Sequence, residues 1–170
     1  MAIIKTVRGI SPVFGKNCFL AETAVVIGEV KMGDNCTIWF NAVVRGDVHS
    51  ISIGDSTNIQ DGAVIHCTYQ KAKTIIGSNV SIAHCAVVHG CTIHDNVLIG
   101  MGAIIMDDAV VGSNSVIAAG AVVLPGTIVE AGSIYGGTPA KRIKSIGPEM
   151  EEVIARTARN YPMYAKWYDQ

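Results

Sequence analysis

Charge is scarce in these 170 residues. Only 16% are Asp, Glu, Lys or Arg, and they nearly cancel to a net −1. No basic stripe is present to follow a phosphate backbone, so nucleic acid is not an expected partner. No apolar run approaches the roughly 18 residues of a membrane span. Met1 to Gly9 lacks the long apolar stretch of a secretory signal. The expectation is a cytoplasmic protein with no membrane partner. Five cysteines, an odd number, demand no disulfide framework. The length suits one domain with a sizeable core. Low charge beside 49% hydrophobic residues points to surface hidden by association between chains.

What the chain does have is a period of six. Aliphatic or aromatic residues open each unit at Phe14, Leu20, Val26, Met32, Ile38 and Val44. They resume at Ile53, Ile59 and Ile65, then at Ile76, Ile82 and Val88. After a five-residue step they run Ile93, Ile99, Ile105, Val111, Ile117, Val123, Val129, Tyr135. The fifth place is small, as at Cys18, Ala24, Cys36, Ala42, Ala63, Ala86, Ala103 and Ala121, and the second is often Gly, as at Gly33, Gly54, Gly77, Gly100 and Gly112. A short fixed period of this kind marks a parallel β-helix. Each unit is a short strand and a corner, with the opener inward and Gly where a side chain would clash. Three units close a coil of about eighteen residues, and coils stack roughly 4.8 Å apart. A helix of 3.6 residues per turn does not keep such openers on one face. A β-sandwich with Gly turns would not repeat its turns at a fixed interval.

The tail changes character. Pro139 and Pro148 punctuate the end of the repeat, and Met150, Val153, Ile154, Thr157 and Ala158 then recur at helical spacing. Pro148 suits a first helical position, and Pro162 is expected to end or kink the helix, leaving Met163 to Tyr168 for a final turn. The expected organisation is all-β, with residues 1–142 forming the β-helix and residues 143–170 a helical tail packed on a prism face.

The register places three histidines. The five extra residues 71–75 loop out near Tyr69-Gln70-Lys71-Ala72-Lys73. Ile65 and Val88 then lie three units apart, on the same face of successive coils. His66 and His89 each follow an opener, so both imidazoles project outward, one above the other. Two such rings can converge on one ion, since a zinc–nitrogen bond spans roughly 2.0–2.1 Å. His84 stands on the neighbouring face and more easily completes a site on an adjacent subunit. The spacing thus points to a cyclic trimer with metal held between chains. Three histidines and water leave the open position of a catalytic zinc site. His49 and His94 fall outside the column and read as surface residues. Cys67, Cys85 and Cys91 neighbour the histidines, but the register aligns no two of them, which disfavours a mixed Cys/His site. Cys18 and Cys36 read as buried thiols.

These residues also carry a resemblance. Val43-Val44-Arg45-Gly46-Asp47, Asn58-Ile59-Gln60-Asp61-Gly62, Val64-Ile65-His66, Ala83-His84 and Val88-His89-Gly90-Cys91 resemble the γ-class carbonic anhydrases and their close homologues of unassigned activity. Gly136-Gly137-Thr138-Pro139-Ala140-Lys141 looks like the end of that family's β-helix, although Gly-Thr-Pro-Ala is shared with hexapeptide acyltransferases. The resemblance spans nearly the whole chain. It implies a left-handed β-helix and a homotrimer whose metal sites lie between subunits. His66, His84 and His89 match the metal ligands, holding zinc, or iron or cobalt. Arg45, Asp47 and Asp61 match an ion-pair network between subunits. Gln60 matches a residue that hydrogen-bonds the solvent on the metal, and Asn58 lies beside it. The implied reaction is the reversible hydration of carbon dioxide to bicarbonate.

The chain departs from the well-studied enzymes in one respect. Those carry an extended acidic loop with a glutamate proton shuttle and another glutamate near the metal. Here residues 67–75 contain no Asp or Glu, and Val48 follows Asp47 where the second acid is expected. Tyr161, Tyr164 and Tyr168 are the tail groups that could reach a neighbouring site. Turnover is therefore expected to be slow. The alternatives are an acyltransferase using CoA, which needs only one histidine base, and a metal-binding trimer without turnover.

Overall fold

A computed structural model describes residues 1–168. It is a parallel β-solenoid of stacked coils closed by a single C-terminal helix. Most strands have two to four residues and alternate with tight corners, and nearly every ladder is parallel. One sheet of 11 strands covers two faces of the prism, because the long strand Val43–Ile53 runs through a corner and joins them. A sheet of 8 strands forms the third face.

Register follows the openers. Val44 stacks on Ile65, Ile65 on Val88, Val88 on Ile105 and Ile105 on Val123. From Val26 to Tyr135 every opener is buried, while Phe14 and Leu20 at the first coil are only partly covered. The small fifth-place residues Ala24, Cys36, Ala42, Ala63, Ala86, Ala103 and Ala121 are wholly buried beside them. A prism so narrow leaves two inward positions per side, one large and one small.

The corners divide their work differently from the sequence expectation. The left-handed backbone falls on the fourth place, at Asn17, Asn35, Asn79, Asn96 and Asn114, with φ between 55° and 57°. Asn tolerates that region because its short amide bonds locally. The second-place glycines are needed for close approach instead. A Cβ at Gly33 would stand 2.1 Å from Asp55 Oδ1 and 2.9 Å from Asp55 N. That carboxylate is fixed because its Oδ1 accepts the Asp34 N–H of the coil before, at 2.7 Å.

The tail helix, α1 (Pro148–Ala165), begins at Pro148 as expected. It lays Met150 and Ile154 on Leu98, Val116 and Ile134, the outward residues of the third face. Pro162 does not end it. The helix continues to Ala165 and passes into a 3-10 turn at Lys166–Tyr168, so Met163 belongs to the helix. Aromatic packing on both sides of Pro162 offsets the lost backbone hydrogen bond. Tyr161 meets Trp39 at 5.4 Å between ring centroids, and Tyr168 meets Trp39 and Phe40 at 5.7 Å each. The last strand, Lys141–Ser145, pairs antiparallel with Ser133–Gly136 and runs across residue 142, where the sequence placed the change to the tail. No helix is long and apolar enough to cross a membrane among the described residues.

Candidate metal centre

His66 and His89 are ladder partners on adjacent strands, Val64–His66 and Val87–His89. Ile65 and Val88 point into the core, so the neighbouring imidazoles leave the prism on the same face. Their ring centroids are 5.1 Å apart, and His66 Nδ1 lies 3.1 Å from His89 Nε2.

The outer nitrogen of each ring meets a carboxylate. His66 Nε2 is 3.1 Å from Asp47 Oδ1, and His89 Nδ1 is 2.6 Å from Asp107 Oδ1. The other oxygen of Asp47 accepts from Arg45 Nη1 at 2.6 Å. Burial alone would raise the Asp47 carboxyl, but hydrogen bonds from Arg45 and His66 outweigh it and hold the group below its ordinary range. Asp107 behaves alike: burial raises it, and hydrogen bonds from Thr68 and His89 bring it below the ordinary range. Both acids are therefore carboxylates at neutral pH.

A ring nitrogen that donates to a carboxylate leaves the other nitrogen as a lone pair. With both outer nitrogens donating, His66 Nδ1 and His89 Nε2 aim lone pairs at each other across 3.1 Å. That arrangement is repulsive unless a proton or a metal cation lies between them. Two nitrogens on one tetrahedral zinc stand about 3.3 Å apart, from bonds of roughly 2.0–2.1 Å. Carboxylates behind the rings are the usual support of ligating histidines. The donor set thus fits a divalent metal.

His84 stands apart from this pair. It follows the strand Ser81–Ile82, and its Nδ1 is 3.0 Å from Asp61 Oδ2, both side chains nearly half exposed. The backbone ties them too, since Cys85 N–H donates to the Asp61 carbonyl at 2.9 Å. Asp61 thus lies under His84, as the register indicates, and serves it rather than Arg45 of its own chain. Among the described residues, no three metal-ligating side chains of one chain are arranged to hold an ion.

Gln60 lies on the His84 side. It is buried, and its Nε2 donates to Asn58 Oδ1 at 2.9 Å, while Asn58 Nδ2 donates to Ser81 Oγ at 2.8 Å. The chain of amides fixes Gln60 at the wall of a cavity of about 340 Å³ that it shares with His84 and Tyr161. Of the three tail tyrosines, Tyr161 is the one lining this cavity. Burial, then the charge of Asp61, pushes its phenol up to about 12. Tyr164 and Tyr168 line a second cleft with Trp39, Phe40, Asp61 and His84.

The remaining candidates fall elsewhere. His94 is exposed, and His49 is half-buried, accepting the Ser50 N–H on its Nδ1 at 2.8 Å. Cys36, Cys67 and Cys91 are buried in the core, and burial pushes the Cys36 and Cys91 thiols up to about 12. Cys18 is only half-buried, because the first coil lacks a layer above it. Cys85 is exposed beside His84.

Sequence reasoning missed Asp107. Its signal was present: it lies 18 residues after His89, one full coil, where it can cross to the ring below. It also missed Thr68 and Thr74, which bond to Asp107 and to the His66 carbonyl.

Comparison with known proteins follows the same lines. The model of the family described as bacterial transferase hexapeptide (six repeats) matches residues 11–46 and 90–125. A probable carbonic anhydrase of Methanocaldococcus jannaschii is 53% identical over 146 residues, covering 86% of this chain and 91% of that protein. The mitochondrial gamma carbonic anhydrase 2 of Arabidopsis thaliana is 40% identical over 156 residues, covering 89% of this chain. The chain spans only 56% of that plant protein's length. Among solved structures, a putative acetyltransferase of Bacillus cereus superposes with a TM-score of 0.95 at 32% identity, covering 98% of this chain and 96% of that one.

Proposed function

Because this chain belongs to the γ-class carbonic anhydrase family of hexapeptide-repeat proteins, we propose that it is a metal-dependent lyase hydrating carbon dioxide reversibly to bicarbonate between the subunits of a homotrimer. The observation that carries this reading is the His66–His89 pair, whose inner nitrogens face each other at 3.1 Å while carboxylates hold the outer ones. His84 of an adjacent chain, backed by Asp61, supplies the third imidazole.

Zinc, iron(II) or cobalt(II) bound there would supply a Lewis acid that makes water acidic enough to attack carbon dioxide near neutral pH. The chain's own residues do the rest. Asp47 and Asp107 fix the tautomers and orientations of His66 and His89, and Asp61 does so for His84. Arg45 keeps Asp47 ionised and stands on the surface where subunits meet. Gln60, anchored through Asn58, keeps its carbonyl oxygen and one N–H free for the attacking water and the bicarbonate product. Proton export is the weak step. Tyr161 is near His84, but a phenol at about 12 holds its proton at neutral pH and relays poorly. With no Asp or Glu in residues 67–75, protons must leave through buffer.

The test is metal analysis of the purified protein followed by stopped-flow hydration of carbon dioxide. About one divalent metal per chain and a rate rising with buffer concentration are expected. A metal-loaded protein with background rates in every buffer would instead favour a trimer that binds metal without turnover. The second reading, acyl transfer from CoA, draws on the acetyltransferase name of the Bacillus cereus structure. Measurable binding of acetyl-CoA would favour it.

A further inference from the structure

We propose that Thr68, in the short loop that follows His66, and Thr74, the first residue of the strand Thr74–Ile76 that the loop leads into, are positioning residues that lock the two imidazoles of one chain at metal-binding separation. This inference rests on the metal-site reading above.

The loop leaves the His66 strand and returns through a tight turn. Thr68 N–H donates to the Ala72 carbonyl at 3.0 Å, and Ala72 N–H donates back at 3.2 Å. Gln70 takes the left-handed backbone at the tip, with φ 51°. The turn returns the chain so that one hydroxyl reaches the carboxylate behind His89 and the other the backbone of His66.

Thr68 acts on His89. Its Oγ1 donates to Asp107 Oδ2 at 2.5 Å, and Asp107 Oδ1 accepts from His89 Nδ1 at 2.6 Å. Each oxygen of the carboxylate has its own donor. A carboxylate held at one oxygen cannot rotate to offer a different face to the ring, so the hydroxyl sets the aim of His89 Nε2. Gly90 makes room for this. A Cβ there would stand 2.4 Å from Asp107 Oδ1 and 2.8 Å from Ala72 Cβ.

Thr74 acts on the backbone of both histidines. It is wholly buried, and its Oγ1 donates to the His66 carbonyl at 2.6 Å while accepting the Gly90 N–H at 3.0 Å. Gly90 N–H also reaches the His66 carbonyl at 3.2 Å. The hydroxyl therefore bridges the peptide after His66 and the peptide after His89, one coil apart. A spacer of fixed length between those peptides holds the two ring nitrogens at their 3.1 Å separation. Oxygen-bearing side chains at both places turn a loop without carboxylates into a clamp.

The experiment compares wild type, Thr68→Val and Thr68→Ser as purified assemblies, with zinc and cobalt(II) dissociation constants measured against a chelator. Valine matches threonine in shape but cannot donate, so Thr68→Val should bind about tenfold more weakly, the scale of losing a partner behind a metal ligand. Thr68→Ser should recover wild-type affinity. Thr68→Val should lower the melting temperature of the metal-free protein slightly, because Asp107 loses a donor, and Thr68→Ser should restore it, whereas a shift of the cobalt(II) absorption bands in Thr68→Val only is a result that a merely structural role does not give. Thr74→Val and Thr74→Ser form a parallel pair, and Thr68, being half-exposed, stays decisive if Thr74→Val does not fold. Wild-type binding with Thr68→Val within twofold of it overturns the clamp and leaves the metal site standing. A wild type that binds neither metal overturns both.

Discussion

At the residue scale, each histidine of the proposed centre has a carboxylate behind it: Asp47 for His66, Asp61 for His84 and Asp107 for His89. Changing Asp107 to Asn replaces an ionic acceptor by an amide. Metal affinity should fall about 10- to 100-fold, measured by chelator competition. The same carboxylates make stability depend on acid. Asp47 and Asp107 lie below the ordinary 3.8 in the folded chain, so their contribution is complete above that value and is lost as pH falls through their lowered folded values. Thermal melts of the metal-free protein should steepen their decline below about pH 4, and less so in Asp107→Asn. A flat profile there would remove these ion pairs from the account. The thiols give a separate check. Cys36 and Cys91 are buried and pushed up to about 12, whereas Cys85 is exposed. Unfolded protein should label fully with a thiol reagent at pH 8, and native protein should leave Cys36 and Cys91 unmodified, as read by peptide mass spectrometry.

At the scale of elements, the solenoid is held by the stacking of like on like, and Gly90 is where that stacking meets the site. Its φ of +56° and the two close contacts a Cβ would make predict that Gly90→Ala destabilises the fold by at least about 1–2 kcal/mol and displaces Asp107. Ile154→Ala is the contrasting case. It removes a buried side chain from the interface of α1 with Val116 and Ile134, on the third face rather than the one that carries His66 and His89. It should cost about 2–5 kcal/mol in denaturant melts while leaving metal affinity unchanged. The helix also marks a limit of reading by local rules. Pro162 forbids its own backbone hydrogen bond, yet the aromatic floor of Trp39 and Phe40 anchors Tyr161 before it and Tyr168 after it. That floor comes from residues more than a hundred positions earlier, and nothing near Pro162 announces it.

At the scale of the whole molecule, the two halves of the proposed centre point from different faces. His66 and His89 share one, and His84, Asp61 and Gln60 share the next. The proposed threefold arrangement of chains would bring unlike faces together, and that proposal predicts complementation. His84→Ala and His66→Ala homotrimers should each lose metal. Mixed trimers, prepared by refolding the two together and verified by mass, should regain part of it, because some joints combine two intact faces. No recovery in verified mixed trimers would contradict a divided site.

The six-residue period determined the solenoid, because each unit buries one opener and one small residue and a slip of one place would turn both outward. Counting units then sufficed to stack His66 on His89 and to set His84 apart. What the chain order could not convey was contact across coils through side chains: Asp107 reaching down to His89, Thr74 joining the peptides after two histidines, α1 running through Pro162. Those depend on distances of a few ångströms between residues far apart along the chain, and only closure of the prism establishes them.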